Sequence, residues 1–301
     1  MVKGINEDPI ITICCLTYNH EAYLAKTLAG FCNQETEYSY EILIHDDCST
    51  DGTIEMLKAF EKENPGRAKV IYEDVNQFSK GVNIAYQIMA KYVRCKYVAV
   101  CEGDDWWTDP HKLQKQVSFM EKHPECVLTV HNGSKFDCRS NEEEPINPFS
   151  GEGYLNEYDN YMAFMNNPPT ASFVVRKEIL VDVPEYVISA PVFDDVLRLY
   201  AFEKGGIYYF DQMMCRRTYM HEDSWNYLLD QKQELYLNYV IRILQFYNLH
   251  DKYTGYKHTE LICAVKRKIG KRFKYMYQGE LSELLAEKLK ELSGVDMGGA
   301  K

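Results

Sequence analysis

Lys96–Asp109 reads KYVAVCEGDDWWTD. Its apolar run, Tyr97–Cys101, has the length and the β-branched and aromatic content of a buried strand. The run stops abruptly at Glu102, Gly103, Asp104 and Asp105. Carboxylates crowded at one strand end repel each other unless positive charge sits among them. A hard divalent cation holding a phosphorylated ligand is the simplest reason to place them together. Capping of the next helix is the plain structural alternative. However, Asp109, just before Pro110, already suits that N-cap. Gly103 permits close approach of the backbone to a ligand.

Working outward, strand-like and helix-like segments alternate. Strands are expected at Ile10–Leu16, Tyr40–His45, Lys69–Tyr72, Tyr97–Cys101 and Cys126–Val130, and helices at Glu21–Cys32, Thr53–Glu63, Gly81–Tyr92 and Pro110–Lys122. This alternation implies a parallel sheet with right-handed crossovers. In such sheets ligands bind beyond the carboxyl ends of the strands. Polar clusters stand at three such ends: Thr17-Tyr18-Asn19, Asp46-Asp47-Cys48-Ser49 and Glu102-Gly103-Asp104-Asp105. Their convergence predicts one site. Asp51 or Ser49 would cap the helix at Thr53. That leaves Asp46 and Asp47 to accept from a base N–H or a ribose hydroxyl. No G-x-G-x-x-G is present, which argues against nicotinamide or flavin.

The second half changes character. Arg139–Pro148, acidic and proline-bearing, reads as a loop, Tyr158–Met165 as a helix and Thr170–Arg176 as a strand. Asp194–Glu203 reads as a helix ended by Gly205-Gly206, with strands at Ile207–Phe210 and Met213–Thr218. From Trp225 onward the pattern is helical, without proline.

At 301 residues, 46% hydrophobic and 26% charged, the composition is that of a globular enzyme. The net charge of −11 argues against nucleic-acid binding, which needs a basic face. The 24 tyrosines suit carbohydrate contact, but tyrosine also fills half-buried positions. Ten cysteines without a C-x-x-C pair, several inside apolar runs, read as reduced thiols in a cytoplasmic setting. The N-terminal MVKGINEDP has no apolar signal core, and no apolar run approaches bilayer length. Lys252–Lys274 forms a local basic patch, either a solvated helix face or a peripheral contact with anionic lipid.

The chain resembles the family 2 glycosyltransferases of the GT-A fold, the group that builds bacterial surface polysaccharides. The matching blocks are Leu16-Thr17-Tyr18-Asn19, then Asp46-Asp47-x-Ser49-Thr50-Asp51-Gly52-Thr53, then Asn76-Gln77-Phe78-Ser79-Lys80-Gly81. The last is Glu102-Gly103-Asp104-Asp105-Trp106-Trp107-Thr108-Asp109-Pro110-x-Lys112-Leu113. They stand in order over roughly the first 125 residues. A lone acidic pair would be weak evidence; ordered blocks are strong evidence.

The resemblance implies an α/β GT-A (nucleotide-diphosphosugar transferase) fold. It has a mostly parallel central sheet flanked by helices and a helical C-terminal extension. Residues 1–225 would form the catalytic domain, with 1–125 the nucleotide-sugar half and 126–225 the acceptor half; residues 226–301 would be the extension. Thr17 and Asn19 would line the nucleotide pocket, with Tyr18 near the base and Asp47 bonded to it. Lys80 would approach the phosphates. Glu102 and Asp104 would be the ends of the family's D-x-D signature. Glu stands where the first Asp is usual, and its extra methylene directs Glu102 to ribose. Asp104 would hold Mg²⁺ or Mn²⁺, with Asp105 as support or second ligand. Asp194 aligns with the general base and Asp195 is its immediate rival; the plain alternative is a helix cap, and Phe193 stands where the family has Gly. Arg216 or Arg217, with Arg217 preferred, would bind the diphosphate by a bidentate fork. His221 would complete the metal shell or touch phosphate, or serve structure only. Trp106 and Trp107 would shape the acceptor side, or pack in the core.

The expected reaction is inverting transfer of a sugar from a nucleotide diphosphosugar, a UDP-sugar first, to a saccharide or lipid-linked saccharide hydroxyl in surface-polysaccharide synthesis. The expected location is the cytoplasm, free or on the inner face of the plasma membrane. Two other classes compete. A sugar nucleotidyltransferase would show a Gly-rich, basic N-terminal loop, whereas Ile11–Asn19 contains no Gly. A non-catalytic nucleotide- or sugar-binding module would not need a second carboxylate site at Asp194.

Overall fold

The computed structural model describes residues 8–147, 149, 151–155, 168–222 and 224–276, with the main chain only for Gln233 and residues 270–276. The helix expected at Tyr158–Met165 lies outside the described residues, as do residues 277–301.

The first half follows the alternation. Strands β1 (Ile11–Thr17), β2 (Tyr40–Asp46), β3 (Ala68–Tyr72) and β4 (Tyr97–Glu102) alternate with helices α1 (Glu21–Cys32), α2 (Thr53–Glu63) and α3 (Ile84–Gln87). They pair in parallel in the order β3-β2-β1-β4. Side chains alternate across the sheet. Ile11, Ile13 and Cys15 of β1 pack with Leu24, Phe31 and Leu57 on one face, and Cys14 packs with Val98, Val100 and Leu197 on the other.

Beyond β4 the expected parallel sheet becomes mixed. The order continues β4-β9-β6-β10-β5, with β5 at Trp106–Trp107, β6 at Cys126–Asp137, β9 at Val174–Arg176 and β10 at Gly206–Tyr219. Strand β9 runs antiparallel to both β4 and β6, while β6 and β10 are parallel. Helix α4 (Lys112–Lys122) covers the join, starting two residues later than expected. Asp109 instead accepts from the His111 backbone N–H at 2.8 Å, closing a turn ahead of it.

Other boundaries also move. The helix expected at Gly81–Tyr92 shrinks to α3 with a 3-10 turn at Met89–Lys91. Asn83 Nδ2 and Gln87 Nε2 donate to main-chain carbonyls of Ala190 and Ile188, so tertiary bonds override a longer helix there. The two strands expected at 207–218 are one bulged strand, β10, with register shifts around Phe210–Cys215. The acidic loop contains a strand, β7 (Glu142–Pro145), beside β6. Its acids are neutralised across the ladder, Glu144 by Lys135 at 2.6 Å and Glu143 by Arg216 at 3.2 Å. A short β8 (Gly153–Tyr154) pairs with β10.

Helices α5 (Glu185–Ile188) and α6 (Asp194–Phe202) precede β10. After it come α7 (Trp225–Gln231), α8 (Gln233–Tyr253) and α9 (Thr259–Met276). Tyr236, Val240, Ile243, Leu244 and Tyr247 form one apolar stripe on α8. Together with Leu261, Ile262 and Val265 of α9 it joins the same cluster as Val98 and Val100 of the sheet. The basic run does not form a single solvated face. Lys266 is 5% exposed and bonded to Asn248 Oδ1. Among the described residues no helix is long and apolar enough to cross a membrane.

Candidate active site

The three polar strand ends meet. The carbonyl of Thr17, closing β1, accepts from the Asp47 N–H at 3.0 Å, and Leu16 O accepts from the Gly103 N–H at 2.8 Å. Left-handed residues Asn19 (φ 55°), Cys48 (φ 67°) and Met220 (φ 62°) turn the chain at the rim. Such conformations cost non-glycine residues energy and gather at functional sites.

Much of the expected nucleotide set braces this rim. Asp46 accepts from the N–H and hydroxyl of Ser49. Asp47 Oδ1 accepts from Gln77 N–H at 2.6 Å and its Oδ2 from Phe78 N–H at 3.0 Å. That anchors the 76–81 block against β2. Asn19 Oδ1 accepts from Thr50 N–H at 2.8 Å. Tyr18 is half-buried on the same turn, and Thr17 is buried with its Oγ1 lacking a hydrogen-bond partner. Lys80 stands exposed at the end of a 3-10 turn and does not line the cavity described below.

The acidic strand end has three distinct environments. Asp104 is buried, and its Oδ2 lies 2.9 Å from His221 Nε2. Burial alone would raise its carboxyl, but His20 and the hydrogen bond from His221 outweigh it and hold Asp104 below the usual carboxylate range. Asp105, expected as support or a second metal ligand, accepts from Thr218 N–H at 2.8 Å. Burial, then Asp104 and Glu102, push its carboxyl well above the ordinary value. Its bond to the Thr218 backbone ties the acidic turn to β10. Glu102 opens into a cavity. Desolvation there and the charge of Asp104 push it up to about 8.

The group converging with Asp104 is a residue that sequence reading passed over. His20, Asp104 and His221 each bring a ligand atom within 4.8 Å of the others. Asp104 Oδ1 is buried with no hydrogen-bond partner. An orphaned carboxylate oxygen beside two imidazoles fits a divalent cation that accepts mixed oxygen and nitrogen ligands, Mn²⁺ better than Mg²⁺. The only sequence signal for His20 was its place just after Leu16-Thr17-Tyr18-Asn19.

Strand β10 delivers the other half of the site. Trp106 and Trp107 pair antiparallel with Arg216 and Cys215. Thr218 then docks on the acidic turn, its hydroxyl donating to Asp104 O at 2.6 Å. This register carries Arg217 to the cavity and His221 to Asp104. Arg216 is held elsewhere, between Glu143 and the Trp106 ring.

Trp106 and Trp107, expected to shape the acceptor side or to pack in the core, lie beside β10. Trp107 is 4% exposed, packs edge-on to Phe31 and donates from Nε1 to Ala171 O at 2.9 Å. Trp106 is half-buried between Lys26 and Arg216. Neither lines the cavity, Trp107 being directed to Phe31 and Trp106 to Lys26 and Arg216.

The cavity itself holds about 420 Å³, within the range of small-molecule sites. Glu102, Arg217, Asp194 and Asp195 all line it, and Phe78, Trp225 and Tyr239 supply aromatic side chains. The two aspartates open helix α6, and Asp195 is paired with buried Arg198. Burial, then Asp194, raise the Asp195 carboxyl. Lys268 of the basic run also reaches this cavity.

Residues 12–181, more than half of the chain, match the model of the family described as "Glycosyl transferase family 2". The chain belongs to that family. Its fold is GT-A, mixed α/β with a helical C-terminal region, as the resemblance implied. Among the curated relatives, an uncharacterized protein of Mycobacterium tuberculosis is 37% identical over 121 residues, 40% of this chain and 34% of the relative. The putative teichuronic acid biosynthesis glycosyltransferase TuaG of Bacillus subtilis is 33% identical over 115 residues, 38% of this chain and 43% of TuaG. The chain thus spans about a third of the length of the first and under half of the second. The crystal structure of Staphylococcus aureus TarS 1–349 superposes with a TM-score of 0.56 at 17% identity, covering 95% of this chain and 88% of TarS 1–349. The Pyrobaculum calidifontis mannosyltransferase PcManGT, in complex with GDP-Man and Mn²⁺, gives 0.55 at 11% identity, covering 96% and 82%.

Proposed function

We propose that this family 2 member is an inverting glycosyltransferase. It would move a sugar from a nucleotide diphosphosugar to a saccharide or lipid-linked saccharide hydroxyl. The observation that carries the reading is one cavity lined together by Asp194, Glu102 and Arg217. A carboxylate base and a cationic group lining the same cavity suit displacement at a carbon bound there.

Asp194 takes the acceptor proton as general base. The acceptor oxygen bonds to the anomeric carbon as the bond to the leaving diphosphate oxygen breaks, which inverts that carbon. Arg217 takes up charge appearing on the diphosphate. Asp104, His20 and His221 would hold a divalent cation, which when bound neutralises diphosphate charge. Glu102 faces the ribose side. Trp225 and Tyr239 offer the sugar-stacking faces first assigned to Trp106 and Trp107. Residues 1–125 are read as the donor half and 126–225 as the acceptor half, with the helices beyond 226 completing the acceptor wall.

UDP is the favoured nucleotide on the likeness to TarS, whose structures include complexes with UDP and UDP-GlcNAc. Surface polysaccharide as destination follows TuaG, named for teichuronic acid biosynthesis. Incubation with a panel of UDP-sugars, Mn²⁺ and oligosaccharide acceptors tests this. Acceptor-dependent UDP release that is lost in Asp194→Asn is expected. No release from any nucleotide sugar, or release unaffected by Asp194→Asn, would overturn the reading.

A further inference from the structure

A second cluster of metal-ligating side chains lies away from the acidic strand end. Glu203 ends α6, His250 sits in the last turn of α8, and His258 immediately precedes α9. One ligand atom from each lies within 4.8 Å of the others. His250 is fully buried and His258 is 5% exposed. His258 Nε2 is bonded to Glu203 Oε1. A buried ion pair would account for those two residues. It leaves His250 unexplained, because its Nδ1 meets the Tyr186 hydroxyl at 3.2 Å while its Nε2 is buried with no hydrogen-bond partner. An imidazole nitrogen sealed from water without a partner forfeits its hydration, a cost native structures avoid unless something is bound there.

We propose that Glu203, His250 and His258 form a binding site for a first-row transition-metal ion, Zn²⁺ in the first instance, that ties α6 to α8 and α9. Two imidazoles and one carboxylate are a borderline-soft set. Zn²⁺ accepts it with water in the fourth position, whereas Mg²⁺ and Ca²⁺ prefer oxygen. His250 Nε2 is the nitrogen left for the ion. Its Nδ1–H donates to the Tyr186 oxygen, the outer bond that fixes the tautomer of a ligating histidine. His258 gives up its bond to Glu203 as both turn to the metal. Lys257 Nζ, 3.6 Å from Glu203 Oε1, opposes a cation, but its side chain is 61% exposed and free to swing into solvent. The clamp has a consequence for the cavity, since α6 presents Asp194 at its other end. The site shares no residue with His20, Asp104 and His221, so it does not depend on the reaction proposed above.

The test uses chelator-stripped full chain carrying Asp104→Asn and His221→Ala, which disables the other cluster. Equilibrium dialysis against Zn²⁺ with elemental analysis should find one retained equivalent, and Zn²⁺ should raise the Tm. Adding Glu203→Gln or His258→Gln should weaken Zn²⁺ binding at least about tenfold and remove the Tm rise. If one of these variants fails to fold, the other decides. No retained Zn²⁺ in the starting protein, or unchanged binding in a folded Glu203→Gln or His258→Gln protein, would overturn the proposal. Zinc-edge anomalous scattering from Zn²⁺-soaked crystals should place the ion between these three residues; an ion found only elsewhere would also overturn it.

Discussion

His221 Nε2 lies 2.9 Å from Asp104 Oδ2, although 117 residues separate them in sequence. The contact exists because β5 and Thr218 fix the register of β10 against the acidic turn. With His20 it makes a mixed oxygen–nitrogen set around the unpartnered Asp104 Oδ1. His221→Ala should weaken Mn²⁺ binding by about 10–100-fold, the usual scale for loss of a group supporting a metal site. Asp104→Asn should abolish both Mn²⁺ binding and transfer, with little change in Tm. Mn²⁺ titration followed by electron paramagnetic resonance reads both variants. Unchanged affinity in Asp104→Asn removes this carboxylate from the metal site.

Asp194 and Asp195 are adjacent on α6, but their surroundings separate them. Asp195 is paired with Arg198, whose side chain is 1% exposed. Asp194→Asn should lower kcat by about 10²–10⁴-fold and leave donor affinity and Tm nearly intact. Asp195→Asn should instead destabilise the fold by about 2–3 kcal/mol, below the full cost of breaking a buried pair because Asp195 is partly exposed. Thermal unfolding beside steady-state kinetics distinguishes them. If Asp195→Asn keeps its Tm and loses turnover, the base is Asp195.

The parts of this architecture written locally were legible. Short apolar runs and the polar clusters at their carboxyl ends identified β1, β2 and β4 and the convergence of those ends, because both signals lie within a few adjacent residues. What the sequence hid depends on partners far along the chain. Trp107 reads as a ligand-facing aromatic beside charges, but pairing of β5 with β10 turns it onto Phe31. Asp105 looks equivalent to Asp104 until Thr218 N–H claims it. Lys266 reads as part of a basic surface, yet the apolar stripe of α9 carries it inward to Asn248. The acids at 142–144 suggest a loop until Lys135 and Arg216 pair with them across β6 and β10. Glu203, His250 and His258 come from separate helical segments, and no spacing rule links them.

Gly103 was expected to allow close backbone approach, and the structure identifies what approaches it. A Cβ there would sit 2.7 Å from His20 Nδ1 and from Thr17 Oγ1, and 2.8 Å from Thr17 Cβ. Gly103→Ala must therefore displace His20 or the turn, at a cost of about 1–3 kcal/mol. Mn²⁺ affinity and donor kcat/KM should both fall, while far-UV circular dichroism remains native. Full Mn²⁺ affinity in both Gly103→Ala and His20→Ala would show that His20 does not serve the site.

Lys112 gives a pH-dependent prediction. Its side chain is fully buried, its Nζ lies 4.3 Å over the Trp107 ring, and that ammonium has no hydrogen-bond partner. Burial lowers its pKa from 10.5 to about 7. An unfolded lysine keeps its proton up to the ordinary value, so between about pH 7 and pH 10.5 the unfolded state binds a proton that the folded state has released. Stability from this group therefore rises with pH across that window, by about 1.4 kcal/mol per pH unit. The penalty is complete below pH 7 and gone above pH 10.5. Lys112→Met keeps the stem and removes the titration, giving up about 0.5–2 kcal/mol of cation–π attraction. The variant should be more stable than the parent by a few kcal/mol at pH 7, with the advantage shrinking steadily toward pH 10. Urea unfolding of both proteins at pH 7, 8, 9 and 10 measures the difference. A gap that stays constant over that range would mean the Lys112 ammonium is solvated or paired in the folded chain.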